Sequence, residues 1–151
     1  MLVLTFQVNQ ILYAVPASRV IEVVPHVELR PVPHAPACVL GLLRYHGSAL
    51  AVLDLGLLLG GVACVDRLDT RIILVRATPG SSGDDRLGLL AERVNELVDV
   101  DPTLGSLRPA RQLDAPYLGS VHETATGLLQ LIDPGQITLT ARRDALGVIA
   151  P

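Results

Sequence analysis

The residues of this sequence that could do chemistry are few, and their spacing does not match a metal-binding motif. His34 and Cys38 are four residues apart, as two ligands on one helical face would be, but Pro33 and Pro36 disfavour a helix there. The sequence has no CxxC or HExxH motif and no second ligand pair. We therefore expect no metal and no cofactor.

Motifs for nucleophilic catalysis and phosphate binding are also missing. Ser81 and Ser82 lie in an acidic loop and not in a Gly-x-Ser-x-Gly elbow. The glycines at positions 56, 60 and 61 fit neither the dinucleotide-binding nor the P-loop pattern. Aspartate pairs at 84–85 and 99–101 fall in turn-like segments that we expect to be solvated. We expect no catalytic residue.

One polar cluster interrupts the apolar centre of the chain, in the stretch GLLRYHGSALAVLDL. Arg44, Tyr45, His46 and Gly47 form a turn between two apolar runs. No base, nucleophile or second ligand accompanies His46, so the turn is interpreted as a surface feature that a partner protein could contact. One alternative stays open, a small β-barrel enzyme or ligand-binding protein that uses His34, Cys38 and His46 in a pocket.

Composition limits the function further. The chain has 151 residues, 50% of them hydrophobic, which suits one domain or two small subdomains around a shared core. The net charge of −3 and the scarcity of aromatic residues disfavour nucleic-acid binding. The first ten residues do not resemble a secretory signal, and no apolar run is long enough to span a bilayer. We expect a soluble, cytoplasmic protein without direct membrane insertion.

The elements that must position these residues are mostly short strands. Alternation over Leu2–Asn9 and the run Ile11–Val15 predict a hairpin. Ser18 and Pro25 are placed to begin and end a short helix or turn over Arg19–Val24. A Pro-rich extended connector follows.

Two strands, Val39–Leu43 and Ser48–Leu53, flank the polar turn. Asp54 is predicted to cap a short LGLLL helix that ends at Gly60-Gly61. The thiols of Cys38 and Cys64 have the apolar surroundings typical of buried cysteines.

The second half of the chain continues the same pattern. We predict strands at Arg71–Thr78, Leu87–Ala91 and Gly127–Asp133, whereas residues 92–100 fit either a strand or a short helix. Residues 101–116 have a loop-like composition. Many short strands with helices too short for βαβ crossovers predict a mainly all-β barrel or sandwich.

In chain order, the segments YAVPASRVIEVV, GLLRYHGSALAVLDLGLLLG, RIILV, RLGLLAERVNEL, APYLG and LLQLID resemble a CheW-like domain over residues 3 to about 140. The resemblance is closest to stand-alone adaptors of alternative chemosensory pathways, including those linked to surface sensing. It implies two intertwined five-stranded SH3-like β-barrel subdomains with short helices. It also implies a single domain over residues 1–141 and a C-terminal tail over residues 142–151.

The resemblance further implies a non-enzymatic adaptor with two partners. These are the cytoplasmic tip of a methyl-accepting chemoreceptor and the regulatory domain of a CheA-type histidine kinase, so the adaptor could associate with receptor arrays at the inner membrane. The second possibility is a CheW-like module whose partner is another regulator.

The receptor-facing residues implied by the resemblance lie in two segments. They are Val20, Ile21 and Glu22 in the first, and Arg44, Tyr45, His46 and Gly47 in the second. The family usually has an arginine before the glycine of this turn, often paired with the acidic residue that aligns with Glu22. Here His46 occupies that position, so Arg44 or His46 is expected to replace the arginine, or the receptor preference differs. Val20 and Ile21 also fit the alternative of core residues.

Overall fold

The structure is a computed structural model, and it describes residues 1–78, 85–101, 106–107 and 115–137. Strands account for 56% of it and the helices are few and short, which confirms the mainly-β fold class. The predicted domain boundary at residue 141, the tail over residues 142–151 and the acidic loop over residues 79–84 lie outside the described residues.

The described residues form ten strands, one 3-10 turn at Ala17–Arg19 and one short α-helix, α1, at Leu55–Gly60, followed near the C-terminal limit by a helical turn over residues 134–137. The strands are β1 Leu2–Val8, β2 Ile11–Pro16, β3 Val20–Pro25, β4 Val39–Tyr45, β5 Ser48–Asp54, β6 Arg71–Arg76, β7 Arg86–Asp99, β8 Ser106–Leu107, β9 Leu118–Thr124 and β10 Gly127–Ile132.

Strand β7 belongs to two sheets at once. Sheet 1 has the order β7-β1-β2-β10-β9-β8, and its β8 contributes only two residues. Sheet 2 has the order β3-β6-β7-β5-β4. The first part of β7 pairs with β6 up to Ala91, and the second part pairs with β1 from Glu92 to Asp99. Arg93, with a φ of 49°, lies where the strand passes from one sheet to the other.

Three apolar clusters fill this arrangement. The largest joins both sheets and contains Phe6, Val15, Leu53, Ile73 and Leu89 among its buried members. A smaller cluster lies within sheet 2 and another within sheet 1. The large cluster is therefore the shared seam that the two-subdomain fold requires, and each sheet also has a core of its own.

The segment after Ser18 corrects the sequence prediction. The helix or turn expected over Arg19–Val24 is wrong: only Ala17–Arg19 forms a 3-10 turn, and Val20–Pro25 is strand β3, paired with β6. The physical reason is the run of β-branched residues, because such side chains lose rotamer freedom in a helix and fit a pleated sheet well.

The helix after the polar turn agrees with its prediction. The Asp54 side chain accepts hydrogen bonds from the backbone N–H groups of Gly56 and Leu57, at 2.8 and 3.4 Å. Gly61 ends the helix in the left-handed conformation, with a φ of 70°. Capping residues thus defined both ends of α1 correctly.

Three further segments differ from the sequence predictions or decide between alternatives that those predictions left open. Residues 92–99 are strand, because they continue β7 along β1. Strand β9 was not predicted, since its sequence LGSVHET is polar and resembles a loop. The isolated pair Ser106–Leu107 falls within residues 101–116, where only loop was expected.

Candidate functional site

The polar turn is a tight β-hairpin. Strands β4 and β5 pair up to Tyr45 opposite Ser48, so only His46 and Gly47 form the loop and the turn is shorter than predicted. Both have positive φ angles, 46° and 80°. Two successive left-handed residues are typical of a type I′ hairpin, in which glycine is favoured and histidine is tolerated better than most side chains.

Tyr45 immediately precedes this turn and contacts one residue of the turn and one residue of β3. Its hydroxyl donates a hydrogen bond to Glu22 Oε2 at 2.6 Å, and its ring meets the His46 ring edge-on with 4.3 Å between centroids. Such a short bond to a carboxylate is charge-assisted. The pKa of Tyr45 is raised, first because its hydroxyl donates to Glu22 and then because of burial and the negative charge of Glu22.

This hydrogen bond joins two strands that are not paired with each other. Glu22 lies on β3 and Tyr45 on β4, and these are the first and last strands of sheet 2. The contact therefore brings the two ends of the five-stranded sheet together, as a barrel requires. It lies at the surface, where Glu22 is exposed and Tyr45 is half-buried.

Two arginines complete the surroundings of Tyr45. Arg76 and Arg86 are direct neighbours across β6 and β7, and the charge of each lowers the pKa of Tyr45 against the larger effect of Glu22. Arg86 Nη2 also donates to Ser48 Oγ at 3.1 Å, which links it to the hairpin. Arg76 lies within the predicted strand Arg71–Thr78 and Arg86 just before the predicted strand Leu87–Ala91. No sequence pattern connects either arginine with the turn.

We call this surface the Tyr45 patch. It consists of Glu22, Tyr45, His46, Ser48, Arg76 and Arg86. With two arginines and one carboxylate, it offers a partner protein both signs of charge around an aromatic ring. Arg and Tyr are also the residue types that most often dominate binding energy at protein interfaces.

The structure shows which residue contacts Glu22 within the chain, whereas the replacement of the family arginine by Arg44 or His46 towards a partner stays a prediction. In the described part of the chain, neither residue forms an ion pair or a hydrogen bond with Glu22; Tyr45 does. Arg44 precedes Tyr45 on β4, and successive side chains of a strand point to opposite faces. Arg44 is therefore separated from the Tyr45 patch, although it is exposed.

The two apolar residues of the first predicted segment, Val20 and Ile21, pack partly into the core. Val20 packs against the large shared cluster and Ile21 against the cluster of sheet 2, and both are half-buried. Val20 and Ile21 reach different clusters because successive side chains of a strand point to opposite faces. The pairing of β3 with β6 then shifts register between Val20 and Glu22. Glu22 is the member of this segment that presents its side chain outward.

The residues considered for a metal site are not brought together. Across the described ranges, no three or more His, Cys, Asp or Glu side chains lie where they could hold a metal ion, and this includes His34, Cys38 and His46. His34 is exposed in the Pro-rich connector, whereas His46 lies at the far end of β4.

The two cysteines are half-buried, so they are less enclosed than predicted. The Cys64 Sγ donates to the Leu90 carbonyl at 3.6 Å, and burial, followed by the neighbouring charge of Asp54, raises its pKa to about 12. Tyr117 packs its ring in the large cluster, and its hydroxyl lies 3.5 Å from the Leu58 carbonyl.

No helix in the part of the chain that the structure describes is long and apolar enough to cross a membrane.

Comparison with known proteins identifies the fold. The structure is similar to that of the scaffolding protein TtCheW from Thermoanaerobacter tengcongensis, with a TM-score of 0.75 and 22% sequence identity over 87% of this chain and 82% of that chain. The search of curated proteins gives no match. Residues 2–141 match the family model described as CheW-like domain. Proteins of this family are scaffolds without catalytic activity. The chain therefore belongs to the CheW-like domain family.

Proposed function

We propose that this chain is a non-enzymatic adaptor of a bacterial chemosensory pathway, which couples a methyl-accepting chemoreceptor to a CheA-type histidine kinase. The observation that carries the proposal is the family match over residues 2–141, because CheW-like scaffolds generally join these two classes of partner. The chain would bind the cytoplasmic tip of the receptor on one surface and the kinase regulatory domain on another. Its mechanism is positional, since it lets a conformational change in one partner alter the other.

We further propose that the receptor-facing surface comprises the Tyr45 patch, the neighbouring residues Val20, Ile21 and Gly47, and Arg44 on the other face of β4. Glu22 and Tyr45 are hydrogen-bonded to each other at the surface, where β3 and β4 meet. The hairpin turn lies next to them. A receptor tip would contact the surface where β3 and β4 meet, and its charged residues would complement two arginines and one carboxylate. An exposed contact of this kind gives specificity and modest affinity.

The test is direct binding of purified chain to a receptor tip fragment and to a kinase regulatory domain, measured separately by calorimetry. We expect both partners to bind. Glu22→Arg should weaken receptor binding about tenfold or more, because it removes the bond to Tyr45 and adds like charge beside Arg76 and Arg86. Kinase binding should not change.

Glu123→Arg is the matched control. Glu123 is an exposed glutamate on β9 of sheet 1, outside the Tyr45 patch, so the same charge reversal should leave receptor affinity within about twofold. If the unmodified chain binds neither the receptor fragment nor the kinase domain, the adaptor function is refuted. Equal effects of the two charge reversals would refute only the location of the receptor surface.

A second candidate is an adaptor role with a regulator other than a receptor. The observation that favours it is that a tyrosine, and not an arginine, is bound to Glu22. His46→Arg restores the family residue at the turn. If it creates or strengthens receptor binding several-fold while the unmodified chain binds only the kinase domain, the partner preference has changed at this turn. An unchanged affinity and partner choice would show that the turn does not determine specificity.

A further inference from the structure

A polar cavity of about 430 Å³ lies on the side of the molecule where the two sheets meet. Its walls come from the end of β1 and the β1–β2 turn, from the loop between α1 and β6, and from the bend of β7. The volume falls within the range of small-molecule sites. None of its lining residues belongs to the Tyr45 patch.

Glu92 is the unusual residue in this cavity. It is only 9% exposed, and in the described part of the chain its carboxylate has no hydrogen-bond or ion-pair partner. Its backbone is held by pairing with Gln7, which fixes the side chain at the cavity wall. Its oxygens are not among the buried polar atoms that lack a partner, so they remain open to the solvent in the cavity. A cationic ligand group in the cavity would supply the missing partner.

Two arginines line the same cavity. Arg67 and Arg93 are exposed, and neither guanidinium forms an ion pair with Glu92 in the described residues. Arg93 takes the left-handed conformation at the bend of β7, with a φ of 49°. The cavity therefore presents one negative and two positive groups that are separate from each other.

The amides of Gln7 and Asn9 supply neutral donors and acceptors between these charges. Asn9 lies in the β1–β2 turn, and its amide lies against Gly60, so close that a Cβ at position 60 would collide with it. This contact limits how far Asn9 can move away from the cavity.

We infer that the cavity binds a free amino acid with an acidic side chain. The α-ammonium group matches Glu92, and the two carboxylates match Arg67 and Arg93, so the ligand charge of −1 balances the net charge of +1 on the three residues. Guanidinium groups bind carboxylates with two parallel hydrogen bonds, which makes arginine well suited to this role. The site is distinct from the proposed receptor surface, and the inference does not depend on the adaptor function.

The test is calorimetric titration of the full chain with L-glutamate, L-aspartate, L-glutamine and glutarate. We expect one of the two acidic amino acids to bind with a dissociation constant below about 1 mM. Glutamine lacks the second carboxylate and glutarate lacks the ammonium group, so each should bind about tenfold or more weakly. Failure of both acidic amino acids to bind would refute the proposal, and so would equal binding of glutarate.

Glu92→Gln separates the proposed contact from a structural role. It removes the charge but keeps the shape, so it should weaken binding of the acidic amino acid about tenfold and abolish its preference over glutarate. The melting temperature without ligand should change little, because the carboxylate forms no hydrogen bond or ion pair within the described residues. Glu96→Gln, on the same strand but exposed and outside the cavity, should leave affinity unchanged.

Arg93→Gln tests the other half of the ligand. It should weaken glutamate or aspartate about tenfold and affect glutamine less, since glutamine has only one carboxylate. Inorganic phosphate serves as the simple anion. If phosphate competes as effectively as the amino acid, and Glu92→Gln does not weaken the amino acid, the cavity binds anions in general and the proposal is wrong.

Discussion

At the scale of single residues, neighbouring groups decide what a side chain can do. Tyr45 has an unremarkable position in the sequence, yet its hydroxyl joins two strands through Glu22, a residue 23 positions away. Cys64 is only half-buried, yet its thiol donates to a carbonyl and lies near the Asp54 carboxylate. In both cases the pKa is raised because the protonated group is the donor in a hydrogen bond or because burial opposes the anion.

The thiol of Cys64 should be unreactive under ordinary conditions. Its pKa is raised from 9.0 to about 12, so the protonated form is favoured and the reactive thiolate is scarce at every pH below that value. At pH 8 the thiolate fraction should be about a thousandfold lower than that of an unperturbed cysteine. The measurement is the rate of reaction with a disulfide reagent, using Cys38→Ser so that Cys64 is the single cysteine.

Unfolding the same variant in denaturant is the control, because it returns the thiol to water and should restore ordinary reactivity. The rate in the folded protein should keep rising about tenfold per pH unit until the pH approaches 12, whereas the rate of an unperturbed thiol levels off near pH 9. A folded protein that reacts as fast as the unfolded one at pH 8 would contradict the environment described for Cys64.

At the scale of elements, one carboxylate organises the region between β5 and β6. Asp54 is 2% exposed and accepts from the backbone N–H groups of Gly56 and Leu57 in α1. It also accepts from the N–H of Cys64, at 3.2 Å to each oxygen. The side chain thus caps the helix and holds the segment that follows it.

Asp54→Ala should destabilise the protein by about 3 kcal/mol, since it removes a helix cap and leaves buried N–H groups without an acceptor. Asp54→Asn keeps one acceptor oxygen and should cost about 1 kcal/mol. Urea unfolding followed by circular dichroism measures both. Asp66→Ala is the control: this exposed residue pairs with His26 at 3.3 Å and should contribute less than about 0.5 kcal/mol. A loss no larger than that of the control would show that Asp54 is not a structural cap.

The elements that could be predicted from sequence are those whose ends have recognisable capping or turn residues. Asp54 and Gly61 defined α1, and the alternation over Leu2–Asn9 followed by Ile11–Val15 predicted the first hairpin, whose turn residues Asn9 and Gln10 have positive φ. Strand β3 was mistaken for a helix or turn because Ser18 and Pro25 resemble helix ends, while its pairing with β6 depends on residues about 50 positions later.

The candidate site could be predicted only in part. The hairpin turn and Glu22 were both singled out from the sequence, but their connection through Tyr45 depends on how sheet 2 curves. Arg76 and Arg86 join the patch for the same reason. The cavity around Glu92 has no sequence motif, because its residues come from three separated segments.

At the scale of the whole molecule, β7 connects both sheets. Gly88 lies in its first part, beneath the side chains of Ile72 and Val52. A Cβ at this position would be 2.8 Å from Ile72 Cγ2 and 3.0 Å from Val52 Cγ2, closer than packed carbon atoms tolerate. Because β7 belongs to both sheets, a substitution at Gly88 should destabilise both of them.

Gly88→Ala should destabilise the protein by about 1 to 3 kcal/mol through overpacking. Because β7 is shared, the amides of β10 in sheet 1 should lose as much hydrogen-exchange protection as those of β6 in sheet 2. Val52→Ala in the same chain removes one of the two crowded groups and should recover part of the loss. Loss of protection confined to sheet 2 would show that the sheets unfold independently.

The parallel pairing of β2 with β10 also bears on the order in which the protein takes shape on the ribosome. Tyr13 pairs opposite Gln130, more than a hundred residues later, whereas all strands of sheet 2 lie between Val20 and the first part of β7. Sheet 2 can therefore assemble while synthesis continues. The β1–β2 hairpin emerges first but must wait with an unpaired edge until β10 has been made, and this delay exposes it to mispairing with other nascent chains.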